Sequence, residues 1–115
     1  GINLIGISDN LPLHDKKYIF KNLAKKNLFN LLTVHQPSLW KYVKNDVDLM
    51  LSGHTHNGQI FPFNLLVKLQ FPQIYGLYKE ANNNLYVSSG VATWGPKIRI
   101  GSRNELIKFT ISKNT

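Results

Sequence analysis

The segment FNLLTVHQPSLWKYVKNDVDLMLSGHTH (residues 29–56) contains two short apolar runs joined by an amphipathic stretch. The first run, FNLLTVHQP, is rich in leucine and β-branched residues and stops at Pro37, which is typical of a buried strand. The stretch SLWKYVKN predicts a short helix with Ser38 as its N-cap, and DVDLMLS predicts the next strand. Strands joined by a connection of this length are expected to pair in parallel, with the helix packed on the sheet.

The residues on either side of this segment extend the pattern and then change it. Residues 3–8 predict a strand, and HDKKYIFKNLAKKN predicts an amphipathic helix with a basic outer face. From Ile60 onward the chain has an apolar, aromatic segment (residues 60–79), then a turn and a strand in EANNNLYVSS, and an alternating pattern at residues 106–111 that predicts a final strand. We expect these later β-elements to be antiparallel. The fold class is therefore α/β.

The composition allows one domain and favours anionic partners. The 115 residues are 43% hydrophobic, and 14 Lys and Arg against 6 Asp and Glu give a formal net charge of +8. A phosphorylated substrate, nucleic acid or an anionic membrane surface would suit this charge, and a solvated basic surface is the alternative. The absence of cysteine excludes disulfides and thiolate metal sites. Because GINLIGI already has the pattern of a buried strand, we interpret the chain as cut from a longer protein.

Three histidines follow the predicted strands. His35 ends the second strand, and His54 and His56 come directly after the third. The carboxyl ends of parallel strands meet at one edge of a sheet, where ligands bind in open α/β folds. Imidazoles converging at that edge predict a site for a divalent metal ion, although a single histidine at a strand end is more often a surface or hydrogen-bonded residue. His14, ahead of the first helix, is predicted to be an ordinary surface residue.

Three blocks of the sequence resemble a known family. LLTVHQP, DLMLSGHTHNGQIFP and LYVSSGVATWGPKIRIGSRNELIKFTI are similar to the calcineurin-like metallophosphoesterases, and most similar to the bacterial YaeI/YkuE-type phosphodiesterases. The resemblance runs from about Gly1 to Ile111. It implies part of a four-layer α/β/β/α sandwich, here roughly one mixed sheet with flanking helices. It also implies a metal-dependent phosphodiesterase or phosphatase, with lipid-linked and nucleotide compounds among the substrates.

The resemblance also assigns roles to individual residues. It implies a centre of two divalent ions, with Mn, Fe and Zn as the options, in which His35 and His54 bind one ion and His56 binds the other. Gln59 is expected either to orient the loop by hydrogen bonds or to be purely structural. Asp9 is expected to be a turn residue, with a supporting role beside the metal ligands as the alternative.

The sequence departs from the family in the blocks that it lacks. The Asp-x-His, Gly-Asp-x-x-Asp and Gly-Asn-His blocks do not occur, and in the family they supply the bridging carboxylate and most of the remaining ligands. We therefore interpret residues 1–115 as a single domain that is the C-terminal half of a catalytic domain, with a partial metal site and little activity alone. In GSRNE, Asn104 replaces the proline that relatives commonly have. The pair Arg103 and Glu105 is predicted to be structural and to hold the final strand.

Partner predictions follow from the apolar segment and the lysines. Residues 61–71, from Phe61 to Phe71, are expected either to contact a membrane peripherally or, as the favoured alternative, to pack on the sheet. The lysines of the first helix favour a solvated face, so no specific nucleic acid is expected. A non-catalytic basic module that binds a membrane surface or nucleic acid remains the alternative function. Pairing with the N-terminal half or dimerisation is expected, in the cytoplasm or peripherally at the inner membrane.

Overall fold

Five strands and three helices alternate along the chain in the computed structural model, which describes residues 1–91 and 97–113. In chain order the elements are β1 (Ile2–Ile7), α1 (Leu13–Leu23), β2 (Phe29–Val34), α2 (Trp40–Val43), β3 (Leu49–Ser52), α3 (Phe63–Gln70), β4 (Gly76–Glu80) and β5 (Asn83–Val87). Two short 3₁₀ turns, Pro37–Leu39 and His56–Gly58, precede α2 and follow β3.

The strands form one mixed sheet in the order β1-β2-β3-β5-β4. The first four in this order are parallel neighbours, and β4 pairs antiparallel with β5 at the edge. This confirms the predicted α/β class with one mixed sheet and flanking helices. The expectation that the later β-elements are all antiparallel is wrong for β5. The connection through α3 and β4 is long enough to bring β5 back to the sheet in the direction of β3.

One face of the sheet carries the hydrophobic core. Side chains that are paired in register point to the same face, and the row Ile5, Leu32, Met50 and Leu85 is buried. Helices α1 and α2 cover this row, and both belong to the same core cluster through the buried residues Phe20, Trp40 and Val43. The apolar runs that predicted β1, β2 and β3 therefore do contribute side chains to the core.

The opposite face of the sheet is apolar and is exposed on both edge strands, although Leu49 of the central strand β3 is buried on this face. Ile2 and Leu4 of β1 and Leu77 of β4 are exposed, and the side chain of Leu4 is 69% accessible. Parallel sheets are normally covered on both faces. The described part of the chain covers only one, apart from Phe109, whose ring meets Tyr86 edge-on at 5.2 Å.

The predicted N-cap of the second helix is wrong. Ser38 is not an N-cap. Gln36 occupies the N-cap position of the 3₁₀ turn, and Pro37 is the first residue of that turn. No side chain caps the backbone there. The fixed φ angle of proline suits a first helical position, so the turn starts two residues earlier than an N-cap at Ser38 predicts.

Residues 106–111 do not form the predicted strand. Leu106 is 92% exposed, and the described residues 102–113 pair with no strand. A strand needs a neighbouring backbone to complete its hydrogen bonds, and alternation alone does not provide one. Residues 92–96, in the glycine-rich part of the same prediction, lie outside the described residues.

Candidate metal-binding site

His35 and His54 meet at the carboxyl edge of the sheet. His35 directly follows β2 and His54 follows β3 by one residue, and the Gly53 amide donates to the His35 carbonyl at 2.9 Å. The Nδ1 atom of His54 lies 3.0 Å from Nε2 of His35, and the two rings are edge-to-face with centroids 4.8 Å apart. The predicted convergence at this edge is therefore seen for two of the three histidines.

The spacing of these two nitrogens suits a shared metal ion. Two nitrogens that each bind one ion at about 2.1 Å lie about 3.0 Å apart at an angle of about 90°, and about 3.4 Å apart in a tetrahedral arrangement. The observed 3.0 Å matches neighbouring ligands of one ion. The same approach is a hydrogen bond when one of the two nitrogens carries a proton. The residues present fit part of a metal site.

The surroundings of His54 favour its neutral form. Burial lowers the pKa of His54, and the neighbouring His35 lowers it further, while Asp9 acts in the opposite direction. Phe71 packs edge-on against the His54 ring, with centroids 5.3 Å apart. A neutral imidazole keeps a lone pair available, which is the form that binds metals.

His56 points to a different set of neighbours. Its Nδ1 atom lies 3.2 Å from Nη2 of Arg99, and a Cβ atom added to Gly90 would come within 3.8 Å of its ring. Within residues 1–91 and 97–113, no group of three or more His, Cys, Asp or Glu side chains is arranged to hold a metal ion. The assignment of all three histidines as metal ligands therefore stays a prediction.

The loop that carries these histidines has an unusual backbone. His54, His56, Asn57 and Gln59 have φ angles of 69°, 48°, 50° and 49°, and Gly58 between them has a φ of 69°. Left-handed conformations are costly for residues other than glycine, and they persist where surrounding contacts impose them. Such strain concentrates at functional sites.

Gln59 is buried within the loop, and its role stays a prediction. Its side chain is 1% exposed, and its carbonyl accepts hydrogen bonds from the Ile100 amide at 2.8 Å and the Ser102 hydroxyl at 3.0 Å. Thr55 adds a buried hydrogen bond to the carbonyl of Ile74 at 2.6 Å. The loop is thus tied to two later segments of the chain.

Comparison with known proteins identifies the family. A protein of Helicobacter pylori named as an uncharacterized metallophosphoesterase is 43% identical over 114 residues, which cover 92% of this chain and 31% of the relative. One of Campylobacter jejuni with the same description is 49% identical over 107 residues, covering 91% of this chain and 28% of the relative. This chain belongs to the metallophosphoesterases.

The family predicted from the sequence is thereby confirmed, and the matches support a C-terminal fragment of such a protein. The chain spans about a third of the length of these metallophosphoesterases. That residues 1–115 form one half of a single catalytic domain stays a prediction. No protein-family model and no solved structure matches the chain.

Metallophosphoesterase relatives also occur in animals, so the family match does not establish a bacterial origin. A Bos taurus protein named as a transmembrane protein with a metallophosphoesterase domain is 42% identical over 85 residues, covering 70% of this chain and 19% of the relative. Among the helices of the described residues, none has both the length and the apolar character needed to span a bilayer.

Asp9 lies at the same edge of the metallophosphoesterase sheet as His35, in the turn after β1. Its carboxylate accepts from Nζ of Lys16 at 3.0 Å and from Nε2 of Gln36 at 3.5 Å. The hydrogen bond from Lys16 is the main reason that the pKa of Asp9 is lowered. Lys16 is buried, at 5% exposure, so its assignment to a solvated basic face is wrong.

Glu105 has different partners from those predicted. It accepts hydrogen bonds from the Ser89 amide at 2.7 Å and from the hydroxyls of Tyr75 and Tyr86 at 3.1 Å each. The ion pairs of the described residues join Lys16 to Asp9 and Lys44 to Glu80, so the predicted pairing of Arg103 with Glu105 is wrong. A carboxylate with three donors is already satisfied without a cation.

Sequence reasoning missed Arg99, which contacts His56, and also Ser89 and Tyr75, which bind Arg99 and Glu105 respectively. The guanidinium of Arg99 reaches His56 across 43 residues of sequence. The only signal for it was the alternation of basic and apolar residues in KIRIG.

Proposed function

We propose that the complete protein containing this chain is a metal-dependent phosphoesterase, and that this chain contributes part of its metal centre. The supporting observation is the 3.0 Å approach of His35 Nε2 and His54 Nδ1 at the carboxyl edge of a parallel sheet. Relatives named metallophosphoesterases support the same class of reaction. Hydrolysis of a phosphodiester or phosphomonoester, on a lipid-linked or nucleotide substrate, is the finer form of this proposal.

The three histidines of this chain would bind different ions of such a centre. His35 and His54 would hold one ion, and His56 would hold a second, with Mn, Fe or Zn as the metal. When bound, divalent ions polarise phosphoryl oxygens as Lewis acids. Burial lowers the pKa of His54 and so favours the neutral imidazole, which has a lone pair for this role. The bridging carboxylates would come from the family blocks that precede this segment.

The proposal is tested by hydrolysis of bis-p-nitrophenyl phosphate with added Mn²⁺. The complete protein is expected to be active, and the 115-residue chain alone to show little or no turnover, because three imidazoles cannot offset and bridge two divalent cations. Activity that survives both EDTA and the substitution His54→Ala would contradict the proposal. Binding to vesicles or nucleic acid without any hydrolysis by the complete protein would favour the non-catalytic alternative.

A peripheral membrane contact is the second part of the proposal. Helix α3 has no buried residue, and Phe63, Leu66 and Leu69 are exposed, the last at 83%. The favoured expectation that this segment packs on the sheet is wrong, because α3 contacts chiefly the His56–Gly58 turn. An exposed apolar helix with Lys68 on it suits the interface of an anionic bilayer.

Co-sedimentation of the complete protein with anionic phospholipid vesicles tests this contact. The substitutions Phe63→Asp and Leu66→Asp should each reduce the bound fraction, because they place a charge in the apolar surface. Tyr18→Asp, at an exposed position on α1, is the control for added negative charge. Equal binding by all four proteins would remove the membrane contact from the proposal.

A further inference from the structure

We propose that Arg99 is a positioning residue that locks the histidine loop, residues 54–59, to the end of β5. No role follows for this arginine from the family blocks that carry the histidines. The inference concerns the conformation of the loop, and only its consequence for metal affinity rests on the proposed function.

The guanidinium of Arg99 bridges two elements that are distant in sequence. Its Nη2 atom donates to the carbonyl of Ser89 at 2.7 Å and lies 3.2 Å from Nδ1 of His56. Its Nη1 atom donates to the carbonyl of His56 at 3.4 Å. Arginine has no acceptor, so Nδ1 of His56 accepts in this contact. One side chain thus contacts both the ring and the backbone of His56.

The residues after Arg99 extend the same connection. Ser102 accepts from Nη1 of Arg99 at 3.3 Å and donates to the carbonyl of Gln59 at 3.0 Å. The Ser89 hydroxyl donates to the carbonyl of Arg103 at 2.6 Å, and Glu105 accepts from the Ser89 amide. The segment 99–105 therefore lies across both the loop and the end of β5, with Arg99 at the centre of the contacts to His56.

The loop needs such external contacts. Four of its non-glycine residues have φ angles between 48° and 69°, a region that is costly for residues other than glycine. Internal hydrogen bonds of the loop are short-range, such as the Gln59 amide to the His56 carbonyl at 2.8 Å. Contacts that are made only in this conformation offset that cost and favour a single arrangement of the loop.

A guanidinium is better suited to this bridge than an ammonium. Arginine presents several donors in a fixed planar fork, whereas lysine offers one compact group. Arg99→Lys should keep the charge and the contact to Ser89 but lose the simultaneous contacts to the ring and carbonyl of His56. The conservative variant is therefore expected to be intermediate between the native protein and Arg99→Ala.

The test uses the complete protein, without metal, and compares Arg99→Ala, Arg99→Lys and the control Arg103→Ala. Arg103 is exposed, and it contributes its backbone carbonyl to the network. Amide hydrogen exchange at residues 56–60 should be at least about tenfold faster in Arg99→Ala, with the exchange of β1–β3 unchanged. The imidazole ¹⁵N resonances of His56 should shift in the same variant, whereas those of His14 should not.

Titration with Mn²⁺ then separates this inference from the proposed function. Arg99→Ala should bind Mn²⁺ at least as tightly as the native protein, because a neutral His56 that accepts from Arg99 on Nδ1 carries its proton on Nε2 and has no free lone pair for an ion. Faster loop exchange would support the positioning role whatever the Mn²⁺ affinity, and tighter Mn²⁺ binding in the same variant would favour His56 as a metal ligand. Unchanged loop exchange and unchanged His56 resonances in Arg99→Ala would overturn the inference. Since Arg99→Lys retains the charge, it provides the same readouts if the alanine variant does not fold.

Discussion

At the scale of single residues, His35 and His54 are neighbours because β2 and β3 are adjacent parallel strands that end at the same edge. Neither histidine needs a long-range side-chain contact to reach that position. His56 is different, since its surroundings come from Ser89, Gly90 and Arg99. Two of the predicted ligands are therefore placed by topology, and the third is placed by segments that follow much later in the chain.

Removing either paired histidine should abolish tight metal binding. We expect His54→Ala in the complete protein to weaken Mn²⁺ binding by more than about 100-fold, because loss of a mere supporting partner already costs about 10–100-fold. Isothermal titration calorimetry measures the change. His14→Ala, at an exposed position of α1, is the control and should bind as the native protein does. Equal loss in both variants would argue against a specific site.

Gly58 is expected to tolerate no side chain. A Cβ atom there would lie 2.1 Å from Cα of Asn64, and the residue has a φ of +69°. Gly58→Ala should therefore lower the free energy of unfolding by about 2–4 kcal/mol through combined overlap and strain. Urea denaturation of the complete protein measures this.

Gly76 provides the matched control for that substitution. It also has a positive φ, of +91°, but nothing lies within 4 Å of an added Cβ. Gly76→Ala should cost only the conformational term, about 1–2 kcal/mol. A similar cost for both alanine variants would mean that the approach of α3 to the loop is not tight in solution.

At the scale of elements, residues 106–111 do not form the predicted final strand, and the segment 99–105 before them is held by scattered hydrogen bonds. Its contacts are side-chain and single backbone hydrogen bonds to the loop and to β5, among them the Glu105 amide to the Gly90 carbonyl at 2.9 Å. Glu105 is the main acceptor of this segment. Burial alone would raise the pKa of Glu105, but hydrogen bonds from Ser89, Ser88 and the two tyrosines lower it overall.

The lowered pKa of Glu105 gives a pH dependence with a defined sign. An ionised carboxylate is favoured in the folded state, so its stabilising contribution is complete above the unfolded value of about 4.3. That contribution is lost as the pH falls through the lowered pKa. Glu105→Gln should be less stable at neutral pH and should lose less stability on acidification than the native protein.

Denaturation midpoints between about pH 3 and pH 7 measure this difference, since the unfolded carboxyl titrates within that window. Glu80→Gln is the control, because Glu80 is exposed and pairs with Lys44 at the surface, where ion pairs contribute at most about 1 kcal/mol. Parallel acid limbs for Glu105→Gln and the native protein would show that Glu105 does not hold this segment.

At the scale of the whole molecule, the sheet has one covered face and one exposed apolar face. Leu4 and Leu77 lie on the exposed face, opposite the core cluster. Burying apolar surface contributes roughly 25 cal/mol per Å², so this face favours association with another polypeptide surface. A second copy of the chain, or the remainder of a longer protein, would cover this face.

The isolated 115-residue chain should therefore self-associate. We expect its apparent mass in size-exclusion chromatography with light scattering to rise with concentration, and Leu4→Lys to reduce that rise. Tyr18→Lys, which adds the same charge on the helix-covered side, should leave it unchanged. A chain that stays monomeric at all concentrations would show that the open face is not an association surface.

The sequence by itself determined the order of strands and helices before Gly53, the apolar runs that form the strands of the core, and the family. Those features depend on local periodicity and on contiguous motifs such as GHTHNGQ. Only the tertiary structure decided that β5 runs parallel to β3, that residues 106–111 pair with no strand among the described residues, that Arg99 contacts His56, and that Glu105 accepts from Ser89 and two tyrosines. Periodicity specifies which side of an element avoids water, but it carries no information about which distant backbone or side chain will complete a hydrogen bond.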